Sequence, residues 1–79
     1  MEYIATFFTH SGAVNYKRYL ARLGVHAELL PVPRRLSSDC GIAARFCTEQ
    51  ELANLITRGL HQLYVVEAGG EKLIYSADN

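Results

Sequence analysis

The order of apolar patterns along these 79 residues predicts an α+β fold. We expect a ferredoxin-like two-layer sandwich, βαββαβ plus an extra C-terminal strand, with an antiparallel sheet carrying two helices on one face. Three observations lead there. Short aromatic and β-branched runs alternate with two segments of helical periodicity. The last apolar run is split by Gly69-Gly70 into a hairpin. The length allows one domain, residues 1–79, and leaves no room for a second core.

Tyr3 to Phe8 reads as strand 1. Thr9-His10-Ser11-Gly12 is a turn in which Ser11 is the expected N-cap of helix 1, residues 12 to 23. Ala13, Tyr16, Leu20 and Leu23 recur at helical spacing, Lys17, Arg18 and Arg22 fall opposite, and Gly24 stands where a terminal glycine belongs. Tyr16 and Tyr19 read as core and rim packing. Val25 to Leu30 is strand 2, ended by Pro31. Ile42, Ala44 and Phe46 alternate with Ala43 and Arg45 in strand 3.

Thr48-Glu49-Gln50-Glu51 has the form of a capping box. It opens helix 2, whose apolar face would be Leu52, Leu55, Ile56 and Leu60, and which would end near His61. With Gly69-Gly70 as a two-residue turn, Glu67 faces Lys72, Val66 faces Leu73, Val65 faces Ile74 and Tyr64 faces Tyr75. With the hairpin arms before and after Gly69-Gly70 as strands 4 and 5, the expected strand order is 4-1-3-2, with strand 5 beside strand 4.

Composition excludes several function classes. The hydrophobic fraction of 49% is that of a globular chain, and no apolar run reaches the roughly 18 residues of a membrane helix. Eight basic residues balance eight acidic ones, which argues against a nucleic-acid or membrane partner recruited by net charge. The opening Met1-Glu2-Tyr3-Ile4 is unlike a secretion signal. With two cysteines and no export signal, the expected setting is the reducing cytoplasm, with both thiols unbridged. No CxxC or HExxH spacing calls for a metal, and no glycine-rich phosphate loop or GxSxG elbow is present, so no cofactor is expected.

One stretch lacks a packing pattern of its own: Pro31-Val32-Pro33-Arg34-Arg35-Leu36-Ser37-Ser38-Asp39-Cys40-Gly41. Irregular segments rich in reactive side chains are where function concentrates. If strand 1 runs up, this loop lies at the top, beside the turn with His10, Ser11 and Gly12. Cys47 and His26 fall at the bottom, and His61 at the top. Cys40 and Cys47 are then at opposite ends of strand 3. Seven residues at about 3.3 Å each separate them by about 23 Å, whereas a disulfide needs Cα atoms within about 7 Å. Cys40 therefore has no resolving partner within the chain. The helix 1 N-terminus, with Arg34 and Arg35, would favour the thiolate and lower its pKa from about 8.5 toward neutrality; Asp39 opposes this.

By default a lone cysteine is a small hydrophobe, and Cys47 reads that way. Cys40 departs from it because its neighbours are polar, basic and conformationally special. Arg34 and Arg35 would otherwise be solvated turn residues; functionally they would bind a small anion. Ser37 and Ser38 read most simply as turn residues or as hydrogen-bond donors to the sulfur, Gly41 would allow close approach, and these three join Arg34 and Arg35 as the candidate substrate- or anion-binding residues. His10 and Ser11 are secondary candidates.

The run from Pro31 to Phe46 resembles the selenium/sulfur carrier protein-like family of small bacterial domains, whose pattern is approximately P-x-P-R-x-L-S-S-x-C-G-x-A-x-R. The likeness extends more weakly through strand 1, helix 1 and Gly24-Val25. The final hairpin is longer than the resemblance leads one to expect. In better-known sulfur carriers of similar size a proline follows the cysteine near a helix start, whereas here Gly41 follows and a strand begins. The resemblance implies that Cys40 accepts sulfur or selenium, holds it as a persulfide or selenosulfide, and relays it between proteins. The partners would be a donor such as a cysteine desulfurase or lyase and an acceptor protein. The chain would be a carrier rather than a free-standing enzyme. The alternative is a non-catalytic anion-binding or interaction module in which Cys40 is packing. A sheet edge that needs covering makes a homodimer compatible with either reading.

Overall fold

The computed structural model describes residues 1–36 and 40–77. Its elements are β1 (Glu2–Phe7), α1 (His10–Arg22), β2 (Ala27–Pro31), β3 (Ile42–Cys47), α2 (Leu52–Leu55), β4 (Leu60–Glu67) and β5 (Gly70–Ser76). The five strands form one sheet in the order β2-β3-β1-β4-β5, with every neighbouring pair antiparallel. Read from β5, this is the expected strand order. The α+β class and the antiparallel sheet are as expected. The sandwich itself is met only in part, because the second helix is a single turn and β5 widens the sheet.

Alternation along β1 sends Tyr3, Ala5 and Phe7 to one face, where they meet Ala44, Phe46, Leu63 and Val65 of neighbouring strands. Against that face α1 lays Ala13, Tyr16 and Leu20, all buried. Tyr16 is central. Its ring contacts Phe7 and Phe46, with centroids 5.2 and 5.9 Å away, the spacing of favourable aromatic pairs.

Helix 1 begins two residues earlier than the sequence suggests. Thr9, not Ser11, is the N-cap: its Oγ1 accepts from the Gly12 amide at 3.0 Å. Ser11 lies exposed within the first turn. At the other end Leu23 caps the helix and Gly24 follows at φ +79°. A side chain there would meet the left-handed penalty of about 1–2 kcal/mol.

The expected second helix is cut to residues Leu52–Leu55, and the capping box does not form. Thr48 Oγ1 accepts from the amide of Gln50 rather than Glu51, and Glu51 occupies the cap position without a side-chain bond. The reason the helix stops is visible in its carbonyls. Tyr16 Oη donates to Leu55 O at 2.7 Å and Tyr19 Oη donates to Asn54 O. Those oxygens would serve the amides of residues 58 and 59 if the helix continued. Ile56 instead turns extended, at φ −90° and ψ 120°, and Leu60 joins β4 opposite Phe7.

The hairpin register also differs. Glu67 pairs with Gly70, Val66 with Glu71, Val65 with Lys72 and Tyr64 with Leu73. The turn is therefore Ala68-Gly69, one residue earlier than expected. Of the Gly69-Gly70 pair only Gly70 has positive φ, at +129°, so the backbone of a Gly-Gly type I′ turn is not adopted. The two-residue shift keeps each side chain on its expected face but exchanges every partner.

The second face of the sheet is not bare. Ile4, Thr6 and Ala43 point away from α1, yet all are buried. After Pro31 the chain folds back over this face, where Pro33 and Arg35 line a cleft of about 350 Å³ with Ile4, Leu30 and Val66.

Candidate functional site

The loop begins and ends on paired strands. Pro31 is the last residue of β2, opposite Ile42, and the Val32 amide donates to Gly41 O at 3.0 Å. Two features close this base. Pro31 lies on an edge strand, where its missing N–H costs no ladder bond. Gly41 takes φ +75°, which turns the chain from Cys40 into β3. A second short bond, Leu36 N–H to Pro33 O at 2.9 Å, shapes the Arg34-Arg35 turn.

Cys40 is half-buried at the end of this loop and packs against the edge of the core. Its Sγ lies 3.4 Å from Ile42 O in donor geometry. His10, the first residue of α1, has Nε2 3.1 Å from Cys40 O. A carbonyl oxygen only accepts, so His10 carries its proton on Nε2 in this contact. The turn after β1 and the cysteine loop are thus brought together. The helix terminus reaches Cys40 through the imidazole of His10, while the Gly12 amide is taken by Thr9.

The two arginines have different fates. Arg34 is exposed in the turn and makes no ion pair among the described residues. Arg35 reaches over the second sheet face to Glu71 of β5, with Nε to Oε1 at 2.5 Å and Nη2 to Oε2 at 2.6 Å. The hydrogen bonds from Arg35 hold the Glu71 carboxyl below its ordinary range, and the carboxylate raises the guanidinium in return. On the same face Arg45 donates to Glu2 Oε2. Ser37 and Ser38, expected to bond the sulfur, and Asp39, expected to oppose the thiolate, lie outside the described residues.

Cys47 stands apart from all of this. It is the last residue of β3, exposed, and opposite Glu2. It borders a cleft of about 670 Å³, lined also by Leu23, Thr48, Glu49 and Glu51. That cleft is wide and polar and lies at the far end of the sheet from Cys40; its size does not make it the site. The two cysteines form no disulfide. His26 is exposed ahead of β2. His61 is buried in a bulge of β4 and stacks on Phe8 with centroids 4.4 Å apart.

No group of three or more His, Cys, Asp or Glu that could hold a metal occurs among the described residues. Among those residues, no helix is long and apolar enough to cross a membrane.

Two residues of this region carry no signal in the sequence reading. Thr9 was hidden by Ser11, two positions on and equally able to cap. Glu71 was hidden by the hairpin register, which gave the adjacent Lys72 a partner and left Glu71 without a role.

No curated protein and no solved structure matches the chain significantly. A family model does, over residues 2–60, which takes in β1, α1, the whole cysteine loop, β3 and α2. With three-quarters of its length matched, the chain belongs to the family described as "Putative Se/S carrier protein-like".

Proposed function

We propose that the protein is a chalcogen carrier and that Cys40 is the residue that holds the transferred atom. The observation that carries this reading is the construction around Cys40. A loop from one sheet edge, closed at its base by Val32 and Gly41, ends on a cysteine whose carbonyl is held by His10. Cys47 has no such surroundings. In the reaction, the Cys40 thiolate attacks the outer sulfur of a donor persulfide. The new bond is Cys40 Sγ–S, the donor's S–S bond breaks, and the donor leaves as a thiolate. No net oxidation occurs, because one sulfane sulfur has changed hosts. Delivery is the same exchange in reverse roles, with an acceptor nucleophile attacking the outer atom and Cys40 leaving. Selenium follows the same course through a selenosulfide. Arg34, unpaired among the described residues, would attract the anionic persulfide, and Gly41 leaves open space beside the sulfur's own residue.

A second reading has its own observation. Cys40 is half-buried, packs on the core and directs its Sγ at Ile42 O, which suits a structural thiol in an interaction module.

One experiment separates the two. The protein is incubated with a cysteine desulfurase and cysteine, digested without reductant, and mapped by mass. The carrier reading requires added sulfur on the Cys40 peptide, retained in Cys47→Ser and absent in Cys40→Ser. Equal labelling of both cysteines, or none at Cys40, refutes it.

A further inference from the structure

The loop that ends on Cys40 is fastened on its outer limb by a residue outside the matched family region. The loop leaves the sheet at β2, one edge, and Arg35 is tied to Glu71 of β5, the other edge. The arginine side chain is 69% exposed, whereas the glutamate side chain is only 7% exposed. A carboxylate withdrawn from water is costly unless a partner meets it. Here the partner meets both oxygens, and a two-point fork fixes direction as well as distance. Pro33, Leu30, Ile4 and Val66 line the cleft beneath, together with Glu2 and Arg45, so the fork closes over a surface that is in part apolar. The other end of the loop is held separately, by His10 at Cys40 O.

We propose that Glu71 is a positioning residue for Cys40. Acting through Arg35, it holds the outer limb of the loop on the sheet and so sets how the thiol is presented. The proposal builds on the carrier reading, since it concerns how the same thiol meets its partners. Arg35 stands at a variable position of the motif, and β5 follows the matched residues 2–60. The fastening therefore reaches beyond the matched residues.

The test uses the full chain carrying Cys47→Ser, with the rate of Cys40 alkylation by iodoacetamide at pH 7 read by mass, and the urea midpoint measured alongside. Alkylation follows the population in which the thiol is accessible. Glu71→Gln keeps the shape and removes the charge; it should raise the rate by about threefold or more. The exchange Arg35→Glu with Glu71→Arg should bring it back to within about twofold of the parent. Arg35→Lys, a point charge without the fork, should fall between. A purely structural role would lower the urea midpoint without this pattern of rate and rescue. The proposal is overturned if Glu71→Gln alkylates at the parental rate, or if the exchanged pair stays as fast as Glu71→Gln. If Glu71→Gln fails to fold, Arg35→Lys decides alone, and a parental rate there overturns it. These rates do not depend on sulfur loading, so the proposal and the carrier reading can fail separately.

Discussion

Replacing Tyr16 by phenylalanine tests how the second crossover is held. The ring is 2% exposed, so its packing against Phe7 and Phe46 should survive unchanged. What is lost is one hydroxyl, which donates to Leu55 O at 2.7 Å. A net hydrogen bond is worth about 0.5–1.5 kcal/mol, and a buried carbonyl left unmet costs about 1–3 kcal/mol. Leu55 is itself buried, so the larger figure governs, and the expected loss is about 2 kcal/mol. The assay is urea unfolding, read as a lowered midpoint at constant slope. A second signature follows from titration. Burial raises the Tyr16 phenol well above its ordinary value. The folded state therefore keeps a proton that the unfolded state releases above about pH 10. The contribution is complete below that pH and is lost as pH rises toward the folded value, at about 1.4 kcal/mol per pH unit. Tyr16→Phe should remove this part of the alkaline slope. A midpoint within experimental error of wild type, or an unchanged alkaline slope, would refute the idea that this hydroxyl replaces the missing helical bonds.

Two further outcomes are expected. Gly41→Ala should cost about 1–2 kcal/mol from its φ alone, because a Cβ at Gly41 meets nothing within 4 Å. Gly69→Ala, equally open but without positive φ, should be neutral or stabilising by up to about 1 kcal/mol; equal urea midpoints for the two variants would contradict the backbone argument. Glu71, lowered by its bonds from Arg35, contributes stability that is complete above its unfolded pKa of about 4.3 and is lost as pH falls through the lower folded value. Acid unfolding curves of wild type and Glu71→Gln should therefore stay separated above about pH 5 and converge below about pH 4; a constant separation down to low pH would count against the pair.

The sequence carried the sheet well because its signals there are local and repeated. Alternation in β3 named the right faces, and the buried positions of α1, Ala13, Tyr16 and Leu20, followed from helical spacing. That the turn carrying His10 lies beside the Cys40 loop followed from strand direction; the hydrogen bond from His10 to Cys40 O did not. The second helix was misread because its end is decided elsewhere. Two tyrosine hydroxyls, 35 and 39 residues away in the chain, take the carbonyls it needed. The hairpin was misread by two residues because both registers place the same side chains on the same faces, and periodicity cannot separate them. Arg35 was grouped with Arg34 because adjacency in sequence was the only information available; its partner is 36 residues on.

That last difference bears directly on the carrier chemistry. A cation beside a thiol assists it only if its charge is not already spent. Arg35 meets a carboxylate through both forks, so the pair presents little net field to a persulfide approaching the loop. Arg34 has no such partner among the described residues and remains in the turn facing water. The positive charge of this turn therefore resides on Arg34, and the structural tie resides on Arg35. The two arginines consequently separate into distinct tasks. Arg34 belongs to the motif by which the loop was identified and is the one available to an incoming anion. Arg35 belongs with β5, and its exchange should alter the loop's hold on the sheet before it alters attraction of the donor.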